Sequence, residues 1–286
     1  MPHPSNLKGA GLGLLAMGLF VVTDISVKFL GGGYDPFQII FFAGLLTVPL
    51  VAGHVMADPV GGPLRPERPR LMALRAVIVV LNSIAGTYAF ASLPLAEAYA
   101  IFFTMPIFIT LLSALVLREP IDLARGVAVL AGLAGVIVAL DPGQATLQWG
   151  HAAALVGAML GAANYVIIRA SGATERTAVM ILYPLMLQLF VAALVLPFVY
   201  RPMPMADLAV TAVMAATTFL GYLAIIAAYR RAPGIVVAPM QYSQIIWGAI
   251  FGALLFDEGM SLQAMIGTAM IILAGLVIVA RQQKPA

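Results

Sequence analysis

Of the 286 residues, 62% are hydrophobic and only 9% are Asp, Glu, Lys or Arg, with a formal net charge of +3. Soluble domains are about 45–50% apolar and about 25% charged, so a soluble globular enzyme, a disordered chain and a nucleic-acid-coating protein are excluded. The absence of cysteine excludes disulfides, iron–sulfur clusters and thiolate metal sites, and 27 Gly with 19 Pro suit transmembrane helices better than soluble ones.

A bilayer span takes about 20 mostly apolar residues. Ten such runs follow one another, near 9–30, 36–56, 71–92, 94–117, 122–140, 149–169, 178–200, 206–229, 233–256 and 261–280. The first has Lys8 ahead of it, as a signal peptide would. It is too long, carries Asp24 and Lys28, and lacks a small-x-small cleavage site, so it reads as a retained helix. With the N-terminus in the cytoplasm, 13 of the 15 Lys and Arg fall on the cytoplasmic side, Arg68, Arg70 and Arg75 among them. Only Lys28 and Arg201 fall toward the other side. A wrong helix count would scramble that bias, so the expectation is an all-α integral membrane protein with ten spans and both termini cytoplasmic. No loop is long enough for a soluble domain, and the chemistry must sit among the helices.

Sliding the chain over itself by 139 residues lays Pro94 on Pro233, Phe103-Thr104 on Tyr242-Ser243, and Glu119 on Glu258; at 140, Asp24 lands on Asn164. This offset predicts two repeats, 1–145 and 146–286. Each has an odd number of spans, so the second enters the membrane from the opposite face. Inverted repeats are the architecture of secondary transporters, which hold substrate near the midplane and work by alternating access.

The stretch Tyr88-Ala-Phe-Ala-Ser-Leu-Pro-Leu-Ala-Glu-Ala, then Met105-Pro106, then Leu117-Arg-Glu-Pro120 resembles the repeat signature of the EamA-type drug/metabolite transporters. The second copy reads Ala228-Tyr-Arg-Arg-Ala-Pro233 and Phe256-Asp-Glu-Gly259, with Ile245 and Gly259 where the first copy has proline. The resemblance covers almost the whole chain. It implies a ten-helix exporter of small metabolites in a bacterial-type cytoplasmic (inner) membrane without fixing the cargo, for which the charge, hydroxyl and aromatic groups of the candidate cavity faces make amino acids the first choice. Other metabolites or a cationic drug remain alternatives.

The candidate cavity residues come from helix faces. The fourth span puts Glu97, Thr104 and Phe108 on one face, and the ninth does the same with Ser243, Gln244 and Trp247. Hydroxyl and amide groups beside aromatic surface suit an amphipathic organic solute, although interhelical packing is the alternative for both faces. Asp24 and Lys28 stand one turn apart, either as a structural ion pair or as a site for substrate charge or a coupling proton. Glu97 is a second partner open to Lys28. Asn164 shares a face with Gly157 and Gly161, and Gly248 and Gly252 repeat that spacing, which reads as tight helix packing. Asn82 and Tyr222 are further candidates for the cavity wall. Glu119 and Glu258 read as loop anchors.

Neither G-x-S-x-G, H-E-x-x-H nor a Walker motif occurs, so an enzyme and a self-powered pump are disfavoured. Three scattered histidines make no metal site, and no cofactor is expected. The expected partners are a small-molecule substrate and the lipid bilayer, without nucleic acid, the protein being a monomer or a weak homo-oligomer.

Overall fold

The computed structural model describes residues 4–57, 64–116, 123–140, 148–171, 175, 177–231, 238–259 and 261–281. His3, Arg118, Glu119, Pro120, Arg176, Pro233 and Lys284 lie outside them. The described chain is helical and contains no strand. The helices are α1 (Pro4–Gly31), α2 (Pro36–Met56), α3 (Pro69–Ser92), α4 (Leu95–Phe102), α5 (Met105–Val116), α6 (Leu123–Leu140), α7 (Trp149–Ser171), α8 (Thr177–Val199) and α9 (Met205–Arg231). A 3₁₀ turn (Ala238–Tyr242) then leads into α10 (Ser243–Phe256) and α11 (Leu262–Arg281). Hydrocarbon offers no partner for a bare N–H or C=O, which is why apolar runs of this length close their hydrogen bonds internally as helices.

These helices fall on the apolar runs of the sequence, with two differences. The fourth run is broken into α4 and α5, and the described part of the ninth opens on a tighter 3₁₀ turn. Both breaks lie beside proline. A proline at 106 has no N–H to return to the carbonyl four residues back, which weakens the helix at that point. Among the described residues, six stretches are long and apolar enough to cross a bilayer, and three shorter apolar helices accompany them.

Side-by-side packing joins α1 to α9, α3 to α7, α2 to α8, α6 to α11 and α4 to α10. Small residues set the closest approaches. Gly267 meets the backbone of Gly135 and Ala139 across the α6–α11 seam, and Gly221 receives the Phe20 ring across α1–α9. There Thr23 also exchanges hydroxyl hydrogen bonds with Thr217 and Thr218, at 2.9 and 3.1 Å.

The end of the bundle that carries the C-terminus of α1 is laced with polar ties. Asp35 caps α2 by accepting the Phe37 N–H at 2.9 Å. Gln38 and the Arg201 backbone bond reciprocally at 2.7 and 2.8 Å. The Tyr34 hydroxyl donates to Asp207 at 2.5 Å, and that hydrogen bond holds the phenol above its ordinary pKa. At the opposite end, Glu175 accepts the Arg68 N–H at 2.7 Å. Arg75, counted on the cytoplasmic side above, lies inside α3 as its span predicts and is only 9% exposed.

Candidate substrate site

The interruption between α4 and α5 shapes the centre. The Thr104 N–H and hydroxyl both return to the Ile101 carbonyl, the hydroxyl at 2.7 Å, closing the last turn of α4 before α5 begins. Above this break, α4 buries Tyr99 at 2% exposure, and its hydroxyl donates to Asp24 Oδ2 on α1 at 2.5 Å. A buried phenol needs such a partner, and the deep carboxylate gains a donor in the same contact. The Tyr99 ring lies edge-on to Phe90 at 5.1 Å and stacks along Phe103 at 6.2 Å; Phe103 in turn meets Tyr242 edge-on at 5.2 Å. These rings, with Val21, Leu95 and Ile271, form an apolar core where α1, α4, α11 and the 3₁₀ turn converge. The Tyr242 hydroxyl is buried there against Gly275 with no hydrogen-bond partner among the described residues.

Lys28 does not pair with Asp24. Its ammonium lies 2.6 Å from Glu258 Oε1, donates to the Leu93 carbonyl at 2.6 Å, and sits 5.4 Å from the centre of the Phe256 ring. The four-carbon stem carries the charge away from its own helix toward the free carbonyl and the carboxylate at the ends of α3 and α10. Glu258 also accepts the Leu95 N–H at 3.0 Å, fixing the start of α4, which is the anchoring role read from its place in the sequence. Glu97 is likewise no partner of Lys28: its carboxylate faces His151 of α7 at 3.5 Å. Between Glu97, Gly248, Gly252 and Glu258 remains a cavity of about 10 Å³, room for one water.

The remaining candidates fall into two groups. Thr104 is fully buried, and the Ser243 hydroxyl repeats its geometry, returning to the Met240 carbonyl at 2.7 Å. Phe108 is half-buried one turn beyond Thr104, and Gln244 is half-buried beside Ser243. Trp247 is 39% exposed and stacks on Phe251 at 6.1 Å. The second group gathers around α3, α7 and α9. Asn82 approaches α7 at Gly157 and Gly161, while Asn164 on α7 keeps a buried, unpartnered carbonyl oxygen. Tyr222 of α9 is 54% exposed and meets Phe20 edge-on at 5.4 Å. Both glycine pairs are packing seams against the broken fourth run: Gly157 and Gly161 face Phe102 and Met105, Gly248 faces Tyr99, and Gly252 faces Leu95 and Glu258.

Reading the sequence singled out neither Tyr99 nor the Lys28–Glu258 tie. The available signal for Tyr99 was a phenol placed deep in an apolar run, where its hydroxyl must find a partner. Among the described residues no three His, Asp or Glu side chains converge as a metal site would require.

A bundle of apolar helices with its polar groups turned inward defines a multi-pass membrane protein. Residues 7–140 match the EamA-like transporter family, so this part of the chain is an EamA domain of the drug/metabolite transporter superfamily. Similar full-length proteins include an uncharacterized transporter of Helicobacter pylori, 26% identical over 95% of this chain and 94% of that one. The S-adenosylmethionine uptake transporter of Rickettsia felis is 24% identical, covering 97% and 94%. The pseudopaline exporter CntI of Pseudomonas aeruginosa is 24% identical over 93% and 94%. A solved crystal structure shares the fold with a TM-score of 0.66 at 18% identity, covering 98% of this chain and 99% of that one.

Proposed function

We propose that this protein is a secondary transporter that exports small metabolites, amino acids first among them, by alternating access between two inverted halves, 1–145 and 146–286. In this reading ten spans cross a bacterial-type inner membrane with both termini cytoplasmic, and the carrier works as a monomer or weak oligomer. One observation carries it: the helix contacts are those that a two-fold relation between the halves would produce. Under the 139-residue offset, α1 corresponds to α7 and α3 to α9, and α1 packs on α9 as α7 packs on α3. The pairs α2–α8 and α6–α11 each join an element to its own counterpart, and α4 of the fourth span packs on α10 of the ninth.

Exchanging the two halves' conformations would open the opposite side. In the present conformation the polar ties among Lys28, Glu258 and the α4 start close the end assigned to the outside. Asp24 and Tyr99 lie just inside that closure, with Asp24 free of Lys28 and available to substrate charge or a coupling proton. The similar proteins named above include both an uptake carrier and an exporter, which is consistent with a small-molecule carrier of this architecture. Counterflow in proteoliposomes, with labelled amino acids and other metabolites presented separately, tests the proposal. Exchange of unaltered amino acid across the membrane is the expected result. Chemical conversion of the solute, or no exchange of any amino acid, would refute it.

A further inference from the structure

Arg75 stands six residues into α3, roughly 9 Å along the helix from its first residue at 1.5 Å per residue. An arginine so close to a helix end ordinarily extends its head to the water. This one turns inward: it is 9% exposed, and Nη1 donates to the Met180 carbonyl of α8 at 2.5 Å. Its Nε–H is buried without a partner. Among the described residues no carboxylate stands within ion-pair distance. Asn82 lies on the same face of α3, two turns farther along, about 10 Å away on the axis, and meets α7 near Gly157 and Gly161.

A buried guanidinium whose Nε–H has no partner, and whose one hydrogen bond among the described residues goes to a backbone carbonyl, is an incomplete site. Within a membrane an ionisable group that no opposite charge balances is by default a candidate for a solute path. We propose that Arg75 is the binding point for a carboxylate on the transported solute. The planar guanidinium matches a carboxylate in two parallel hydrogen bonds, and the apolar body of the solute lies along the bundle toward Asn82. The inference deepens the transporter reading and rests on it, because the solute must enter between the helices to meet this residue.

The test uses phenylacetate and phenylacetamide, which differ in charge and hardly in size, as probes on the purified full-length protein in detergent. Thermal unfolding followed by tryptophan fluorescence gives the half-saturating concentration for each. The expected result is stabilisation by phenylacetate with half-saturation about tenfold or more below that of phenylacetamide. Arg75→Gln should abolish this preference. Arg75→Lys, which keeps the charge and loses the paired geometry, should retain it at reduced affinity, and decides the matter if Arg75→Gln does not fold. Equal stabilisation by the two probes, stabilisation by neither, an undiminished preference in Arg75→Gln, or an Arg75→Lys indistinguishable from wild type would overturn the proposal. So would stabilisation by phosphatidylglycerol with no response to phenylacetate, because the anion would then be a lipid. The outcome is separable from the cargo assignment: a carboxylate preference without amino-acid counterflow removes amino acids as cargo and leaves the Arg75 site standing.

Discussion

Lys28 lies one turn from Asp24 on α1, yet its charge is balanced by Glu258. Both side chains are mostly buried, at 11% and 19% exposure, so removing one leaves the other uncompensated. We predict that Lys28→Met and Glu258→Gln each lower thermal stability, and that the double variant is more stable than the two separate losses imply. The coupling should be about 1–2 kcal/mol, as residues in one contact network show, and additive losses in thermal unfolding would disprove it. Combining Asp24→Asn with Lys28→Met, by contrast, should give no rescue. A second prediction concerns Tyr99→Phe, which strips the donor from Asp24 and should cost about 1–3 kcal/mol of stability. Asp24→Asn should fold and reach the membrane, as detergent size-exclusion would report, while counterflow falls about tenfold or more. Wild-type counterflow in that variant would make Asp24 structural. Spacing rules could not find these partners. An i, i+4 rule sees only one helix, whereas a lysine stem reaches neighbouring elements, and the Tyr99 hydroxyl is read as part of an apolar face until α1 is placed against it.

At the level of elements, the apolar runs were legible because a bilayer requires long uninterrupted stretches of that kind, and helix ends follow where charge and proline gather. The break between α4 and α5 was less so. Proline at 106 signals a disturbance, but whether the chain kinks or stops depends on how Tyr99, Phe103 and the facing Gly248 pack. The glycine spacings gave the seams and not their partners. Glycine positions also supply a contrast that can be measured. A methyl at Gly248 would collide with the buried Tyr99 ring, whereas one at Gly53 of α2 meets nothing within 4 Å. Gly248→Ala should therefore destabilise the protein by about 1–3 kcal/mol. Gly53→Ala should stabilise it by about 0.5–1 kcal/mol through helix propensity. Equal shifts of unfolding temperature for the two variants would show that α4 and α10 are not in the contact described.

Across the whole molecule, alternating access makes a demand on one seam in particular. If the halves exchange conformations, α4 of the fourth span and α10 of the ninth must part at the end now closed by Lys28 and Glu258. The geometry there admits a lock, since a Cβ built at Gly252 lies 4.0 Å from Leu95 Cβ, within the span of a disulfide. The chain has no cysteine of its own, so Leu95→Cys with Gly252→Cys introduces a single defined pair. Oxidised in proteoliposomes, this variant should lose counterflow, and reduction should restore it to the level of the never-oxidised sample. The comparison of oxidised with reduced protein removes any effect of the substitutions themselves. Full transport by protein whose crosslink is verified by peptide mapping would mean that this seam stays shut throughout the cycle, and the exchange of halves would have to be abandoned as the mechanism.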